Sequence, residues 1–575
     1  MRWKSLRQHL AQESLSWRVC LGVCLVFALI HILFFHDKFF DINRSKYYLL
    51  LYGLYSALLI VGACFCYEKP WRRDLNTLRM STLGLMILLF SAAISLLMTK
   101  NPLKALTGSD GRYAGGLLFA AEAVLYGFGM HVMAKPAGAV PEETDASPGA
   151  DRLMTPAELI VCALLLSGSL CAILGIANFL GWDPLGFYTT LNSVYQSDFI
   201  STIGNINFFS AYMVLMTALA AGLYLQWDHR MRPWMLAPFL LFFLGVLASH
   251  SDSGFAGLAM LALTALAFKP RQKQHVERLL IMPGLACLAA CLLSALTRLC
   301  HDSAMDFSNS FTSKTLNVPF LSLFLGLFFL SAVAVLKVRS PSEHMLFRYA
   351  ARIRIAVFVA VGLAAVAFAG MMIYYTRINP LAEPPASIFR MDDNWGTFRG
   401  FIWRKTVSLW SGLPFMQKLF GIGPDRLRAL LVEECYDEMI SLTGLVFDSA
   451  HNELLHLLIT VGALGVAGYL VLVAGALRAA WKAGSNDPVR YAAFMAICVH
   501  MAQSMLNIAQ PETTPAVYLI FAIAASSCMT PMVNLRPALE RLSPIKAFLS
   551  KSLSSWKRDK AGSEEDRPEE NNDPT

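Results

Sequence analysis

Charge is what this 575-residue sequence has least of. Asp, Glu, Lys and Arg make up 15% of it, against roughly 25% in an average soluble protein. Apolar residues reach 56% and mean hydropathy is +0.49. Such a chain cannot cover its own surface with polar groups in water, which excludes a string of soluble domains and predicts an integral membrane protein. No Walker loop and no GxGxxG loop in a strand-to-helix context is present, which argues against ATP-driven transport within this chain. No internal repeat is evident. The net charge of +8 comes from short Lys and Arg clusters between apolar runs, the pattern of cytoplasmic loops and not of a nucleic-acid surface. Of twelve cysteines, Cys20, Cys24, Cys64, Cys66, Cys162, Cys171, Cys287, Cys291, Cys498 and Cys528 lie inside apolar runs. There they are small hydrophobes, forming neither a disulfide framework nor a zinc site. Cys300 and Cys435 fall in outer loops, where one disulfide is open to them; they are read as free. The basic lead-in of Arg2, Lys4 and Arg7 meets no small-residue cleavage site, so the first apolar run is read as an uncleaved span.

A span needs about 20 mostly apolar residues. Fourteen stretches qualify: 17–35, 47–67, 81–98, 115–133, 157–179, 206–226, 234–249, 254–268, 279–297, 318–336, 355–376, 453–477, 491–507 and 513–530. The short pair 234–249 and 254–268 predicts a tight helical hairpin. With the amino terminus inside, inner segments carry 31 of the 48 Lys and Arg, including Arg72, Arg73, Lys269 to Arg278, Lys337 to Arg354 and the tail from Arg536. This bias places both termini in the cytoplasm. The expected fold is an all-α integral membrane protein of about 14 transmembrane helices with a long extracytoplasmic loop forming a helical cap. Its parts are an N-terminal bundle of about 11 helices (1–376), the cap (377–452), about three C-terminal helices (453–531) and a cytoplasmic tail (532–575). Within the tail, Ser543 to Lys560 reads as a basic amphipathic helix on the anionic inner leaflet, and 562–575 as acidic and disordered.

The polar features cluster in the outer segments. The loop 377–452 holds Trp395, Phe398, Phe401, Trp403 and Trp410, too many aromatics for disorder, and the spacing from Thr397 to Trp410 predicts a helix lying in the membrane interface. Arg399, Arg404 and Lys405 on it have two readings: contact with lipid headgroups at the rim, or a guanidinium offered to a lipid-linked phosphate. DSAHNELLH opens the span at 453; Asp448 or Ser449 as cap puts His451 in the first turn, where the helix dipole favours the neutral ring and Glu453 opposes it. His451 is either a proton acceptor or a polar cap. HNELLH is no zincin motif, because His451 and His456 lie about 140° apart on a helix. Arg112 in GSDGRYAGG, Asn205 and Asn207 in STIGNINFFSAY, and Ser251 in the hairpin turn HSDSG each read singly as turn or capping residues. Glu122 lies mid-span, where a carboxyl is a functional candidate or is satisfied by a neighbouring helix. Arg112, Asn205, Ser251, Arg399 and His451, spread over some 340 residues, all fall outside under a topology fixed by charge bias alone, which supports a site facing outward.

Arg399 followed by Trp403, GIGPD (421–425), AHNELL (450–455) and VGALGVAGYL (461–470) together resemble the O-antigen ligase and polymerase superfamily, and GRYAGG and GNINFFSAY look like its two upstream external turns. The resemblance spans most of the chain and is strongest from Thr397 to Leu470. It implies a multi-pass glycan transferase of the cytoplasmic membrane, acting on the outer face, with a glycan on undecaprenyl diphosphate as donor and no metal, nucleotide or other cofactor. It assigns His451 to the acceptor hydroxyl and Arg399 to the diphosphate; Arg112, Arg404, Asn205, Asn207, Ser251 and Glu122 are further donor- or substrate-binding candidates from their placement in the sequence. The acceptor is a glycolipid, a protein or a wall polymer for a ligase, or a second lipid-linked repeat for a polymerase; the cap and AHNELL favour the ligase. Many members have Arg in the hairpin turn where this chain has Asp252, so Arg112 or Arg404 is expected to compensate, or the donor site differs. A polysaccharide flippase or a non-catalytic envelope scaffold are the rivals. A flippase predicts pseudo-symmetric halves and several midplane ionisable residues; Glu122 is the main one found, and the loop at 377–452 is lopsided.

Overall fold

The computed structural model describes residues 13–67, 79–133, 154–227, 229–267, 270, 272–300, 318–484, 487–508 and 510–526. The lead-in cations, Arg72 and Arg73, Cys528 and the tail 532–575 lie outside the described residues. The chain is an all-helical membrane protein. Its helices are α1 (Leu15–Leu29), α2 (Ile42–Tyr67), α3 (Met80–Met98), α4 (Pro102–Thr107), α5 (Gly116–Val132), α6 (Pro156–Phe179), α7 (Ile206–Gln226), α8 (Leu236–Ala248), α9 (Ser253–Ala267), α10 (Lys273–Leu299), α11 (Pro319–Arg339), α12 (Glu343–Ile373), α13 (Trp395–Gly412), α14 (Phe415–Phe420), α15 (Leu427–Thr443), α16 (Glu453–Thr460), α17 (Gly462–Ala483), α18 (Pro488–Ser504) and α19 (Thr514–Ala525). Among the described residues, nine helices are long and apolar enough to cross a membrane, and four shorter apolar helices accompany them. The strand content is one two-residue pair, Phe199–Ile200 against Gly204–Asn205.

The two short helices expected there are present as α8 and α9, but they do not form a tight hairpin: α8 packs on α7 and α6, and α9 on α18 and α7. The expected single span over 453–477 is not continuous. It breaks at Val461 and Gly462, where Gly462 takes the left-handed φ of +73°. A break leaves carbonyls without intrahelical donors, and these must be met from elsewhere. Ser91 and Ser95 of α3 donate hydroxyls to Val461 O at 2.7 Å and Thr460 O at 2.8 Å. The backbone N–H groups of Ile422 and Gly423 reach Ile459 O at 3.1 Å and Thr460 O at 3.0 Å. GIGPD is thereby docked onto the break, and only Gly fits at 421, where a Cβ would sit 2.2 Å from Thr460 O.

Helices α3 and α17 cross with their backbones nearly touching. A Cβ on Gly84 would meet Leu472 N at 2.2 Å, and one on Gly468 would meet Leu88 N at 2.5 Å. Small residues permit such approach between membrane helices. Helices α13 to α15 form a separate layer with its own core of Phe401, Ile402, Leu427, Leu431 and Met439, closed by Phe447, Ala450 and Ile459 from the DSAHNELL segment and α16. The interfacial helix expected from Thr397 to Trp410 is real as a helix, but Phe401 and Ile402 are fully buried in this layer and are not offered to lipid. Cys435 lies in it too, and no disulfide joins it to Cys300. Helix α12, which leads into the layer, turns nearly all of its apolar length outward.

Candidate functional site

Among the described residues, five of the ten non-glycine positions with left-handed backbone lie at or beside Arg112, Arg399, Asp425 and His451. Tyr113 (φ 54°) follows Arg112, Thr397 and Phe398 (59° and 66°) precede Arg399, and Asp425 (56°) and His451 (46°) adopt it themselves. Each such residue costs roughly 1–2 kcal/mol, and such strain concentrates where a side chain must be aimed. Gly396, Thr397 and Phe398 together make a left-handed turn that kinks α13 at its start.

Arg112 is the centre of the arrangement. Its Nε lies 3.2 Å from Asp425 Oδ1, with both side chains almost fully buried, and its Nη1 lies 3.4 Å from Asp448 Oδ1. The GSDG turn is fixed on the same carboxylate, since Ser109 N donates to Asp425 Oδ2 at 2.6 Å and Ser109 Oγ to Asp425 O at 3.2 Å. Arg112 Nη2 is buried and makes no hydrogen bond among the described residues. A turn read from sequence as ordinary capping is thus half of a buried ion pair that ties the bundle to the helical layer.

Arg399 points inward and not to the rim. Its Nη1 donates to Gly396 O at 2.8 Å and its Nη2 to Leu506 O at 3.2 Å, while the buried Nε makes no hydrogen bond. Burial lowers its pKa, and Asp252 acts against that, so the Asp at the hairpin turn is electrostatically coupled to this guanidinium. His451 differs from the expected placement. The cap of α16 is Asn452, whose Oδ1 accepts from Leu455 N at 3.0 Å and whose Nδ2 donates to Met505 O at 3.0 Å. His451 therefore precedes the helix. Its pKa falls from 6.5 to about 4, first through burial and then through the charge of Arg399, with Asp448 opposing and Arg112 adding. The ring is neutral because it is buried among cations, and its Nδ1 makes no hydrogen bond among the described residues. The angular argument that separated His451 from His456 lapses once His451 leaves the helix: both rings couple to Arg112 and Asp448. Trp403 donates its indole N–H to Ala450 O at 2.9 Å, which fixes the spacing between the Arg399 helix and the histidine turn.

The remaining expected residues divide. Ser251 donates to Asn207 Oδ1 at 2.6 Å, and Asn507 Nδ2 reaches Ser253 Oγ at 3.2 Å and Asn207 O at 3.4 Å, joining three loops at the same end of the bundle. Asn205 is a helix cap, accepting from Asn207 N at 2.9 Å. Arg404 is half exposed and pairs with Asp393, its Nε at 3.0 Å and Nη2 at 2.7 Å from Oδ1. Glu122 lines a separate enclosed cavity with Glu453, Thr514 and Tyr518.

Sequence reasoning missed Asp425 and Asp448 as partners of Arg112, and it missed Glu512. Glu512 is buried. Burial pushes its pKa up to about 7, with a hydrogen bond from its own backbone N–H, then Lys46 and Arg112, pulling it back. Lys46, also buried, donates to the carbonyls of Ile32 and Phe34. A signal for Glu512 existed: it is a lone carboxylate in the segment 508–512, which has no other charge. Among the described residues no group of three His, Cys, Asp or Glu side chains is arranged to hold a metal ion.

The arrangement offers a neutral imidazole able to take a proton beside a guanidinium with a free donor, in a partly dry site. Residues 318–470 match the model of the O-antigen ligase family, and that stretch contains Arg399, Asp425, Asp448 and His451. Arg112, the Asn207–Ser251 network and the 505–512 loop lie outside the match. No curated protein matches the chain.

Proposed function

From the O-antigen ligase domain at 318–470, we propose that the protein is a membrane glycosyltransferase of the ligase type, moving a glycan from undecaprenyl diphosphate to an acceptor hydroxyl. The observation that carries this reading is a buried His451 electrostatically coupled to Arg399 and Arg112. The acceptor oxygen attacks the anomeric carbon as its proton passes to His451; the bond to the diphosphate oxygen breaks, and undecaprenyl diphosphate leaves with the electron pair. One displacement inverts the anomeric centre. General-base help of this kind contributes about 10²–10⁴-fold. Arg399 binds the diphosphate and stabilises the charge that develops on it. Arg112, already paired, orders the site and lends long-range positive charge. Asn207 and Ser251 shape the mouth, and Arg404 holds the helical layer through Asp393.

In this reading the chain has about fourteen spans in the cytoplasmic membrane, with both termini inside. The layer 377–452 is an extracytoplasmic cap between the bundle 1–376 and the helices of 453–531. The acceptor is a glycolipid, a protein or a wall polymer. Purified protein incubated with a lipid-linked oligosaccharide and candidate acceptors tests the proposal. En bloc transfer to a separate acceptor supports a ligase, and a ladder on the lipid carrier identifies a polymerase instead. His451→Ala and Arg399→Ala each abolish transfer at normal abundance; full activity in both refutes the enzymatic reading.

A further inference from the structure

Helix α12 meets the bundle along one narrow side and leaves the rest of its surface uncovered. A helix turns about 100° per residue, so the buried Leu346 and the partly covered Ala350, Arg354 and Val357 share that side. Arg348 and Arg352 lie on the opposite side, and Ile355, Val359, Leu363 and Val366 continue the same stripe along the helix. These four apolar side chains are 55–71% exposed. From Ile355 to Val366 the stripe runs about 16 Å at the helical rise, the depth of one leaflet of a hydrocarbon core about 30 Å thick.

Both guanidiniums are exposed, and among the described residues neither takes part in an ion pair. Glu343, the one carboxylate on α12, lies about 140° around the helix from Arg348. Lys337 and Arg339 close α11 at the same end, and Lys273 of α10 donates to Ser340 Oγ in the connecting turn at 3.3 Å. Three helices thus bring cations together there. Side chains four apart on a helix are neighbours, so Arg348 and Arg352 repel each other until an anion lies between them. The guanidinium fork suits a phosphate. A second copy laid symmetrically on this face would set arginine against arginine, whereas an anionic phospholipid offers a phosphate to the pair and an acyl chain to the stripe. We propose that this face of α12 binds one anionic phospholipid, its phosphate held by Arg348 and Arg352 and an acyl chain lying along Ile355 to Val366. Lys337 and Arg339 add positive charge around the headgroup. The inference requires that the chain sits in a membrane, and it is independent of the transfer reaction.

Native mass spectrometry of the full-length protein, released from mixed micelles with equal amounts of phosphatidylglycerol and phosphatidylcholine, tests it. The wild type retains phosphatidylglycerol in preference to phosphatidylcholine. Combining Arg348→Gln with Arg352→Gln weakens that retention roughly 30-fold and leaves phosphatidylcholine unchanged. Arg377→Gln, in the turn beyond the other end of the helix, changes neither. Equal retention of the two lipids by the wild type, a loss under about threefold in the double variant, or an equal loss in Arg377→Gln overturns the proposal. So does displacement of the lipid by inorganic phosphate, which makes this a site for the free anion. A stable dimer cross-linked through α12 also overturns it, since a second chain then covers the face. Should the double variant fail to fold, the wild type cross-linked to a photoactivatable phosphatidylglycerol decides alone: label lying outside Lys337 to Val366 overturns the proposal.

Discussion

Removing the carboxylate of Asp425 tests whether one buried ion pair joins the bundle to the helical layer. Asp425 is 3% exposed and Arg112 is 3% exposed, so neither charge is relieved by water once its partner is gone. Breaking such a pair from one side costs about 3–5 kcal/mol. Asp448, 3.4 Å from Nη1 and half exposed, retains part of the attraction, which sets Asp425→Ala near the lower end, about 3 kcal/mol. Asp425→Asn keeps an acceptor for Ser109 N and is expected to lose about 1 kcal/mol less. Adding Arg112→Met to Asp425→Ala removes the stranded cation, so the double variant is more stable than Asp425→Ala alone. Denaturant titration of the detergent-solubilised protein, followed by tryptophan fluorescence, reads these three variants and the single Arg112→Met variant. A loss below about 1 kcal/mol for Asp425→Ala, or simple addition of the two single losses, refutes the argument.

Three other expectations follow from the same geometry. The depressed pKa of His451 means the folded state resists protonation, so its contribution to stability is complete above pH 6.5 and is lost as pH falls to about 4. The stability of wild type minus that of His451→Gln, measured against pH, isolates this effect; a flat difference across that window contradicts it. Gly468→Ala forces α3 from α17 and costs roughly 1–3 kcal/mol, whereas Gly62→Ala, with nothing within 4 Å of the new Cβ, is expected to gain about 0.5–1 kcal/mol; equal Tm shifts would show that the crossing is not tight. Arg404→Ala, which breaks an exposed pair with Asp393 and a longer one with Glu438, is expected to cost under about 1 kcal/mol and to reduce glycan transfer far less than Arg399→Ala in the purified assay.

Much of this molecule was legible before any coordinates. Apolar runs located the long helices because length and composition decide membrane insertion locally. The short helices α8 and α9 were legible for the same reason, whereas their packing on α7, α6 and α18 instead of on each other was not. Arg399 and His451 were singled out by their motifs, yet their surroundings were not. Asp425 and Ser109 are 316 positions apart and Arg112 and Asp448 are 336 apart, and no local pattern records such pairings. The break at Val461 hides in the sequence because ITVGALG reads as continuous apolar helix; its carbonyls are met by serines of α3, which lies far upstream. For His451 the sequence set a helix dipole favouring the neutral ring against Glu453 opposing it, and did not decide between them. Burial and Arg399 lower its pKa, and Asn452 takes the cap that Asp448 or Ser449 was expected to fill.

Two consecutive carbonyls, Met505 O and Leu506 O, receive Asn452 Nδ2 and Arg399 Nη2. They act as a common datum, like the fixed jaw of a gauge: the cationic arm and the imidazole turn are both measured from one short loop. A rigid displacement of that loop carries Arg399 and His451 together and leaves their separation unchanged. Arg112 is registered on Asp425 and, through it, on the broken helix, and its Nη1 also meets Asp448, three residues before His451. The two reference points are therefore tied together at the histidine turn, and a ligand spanning them would feel a slip there as a change in reach.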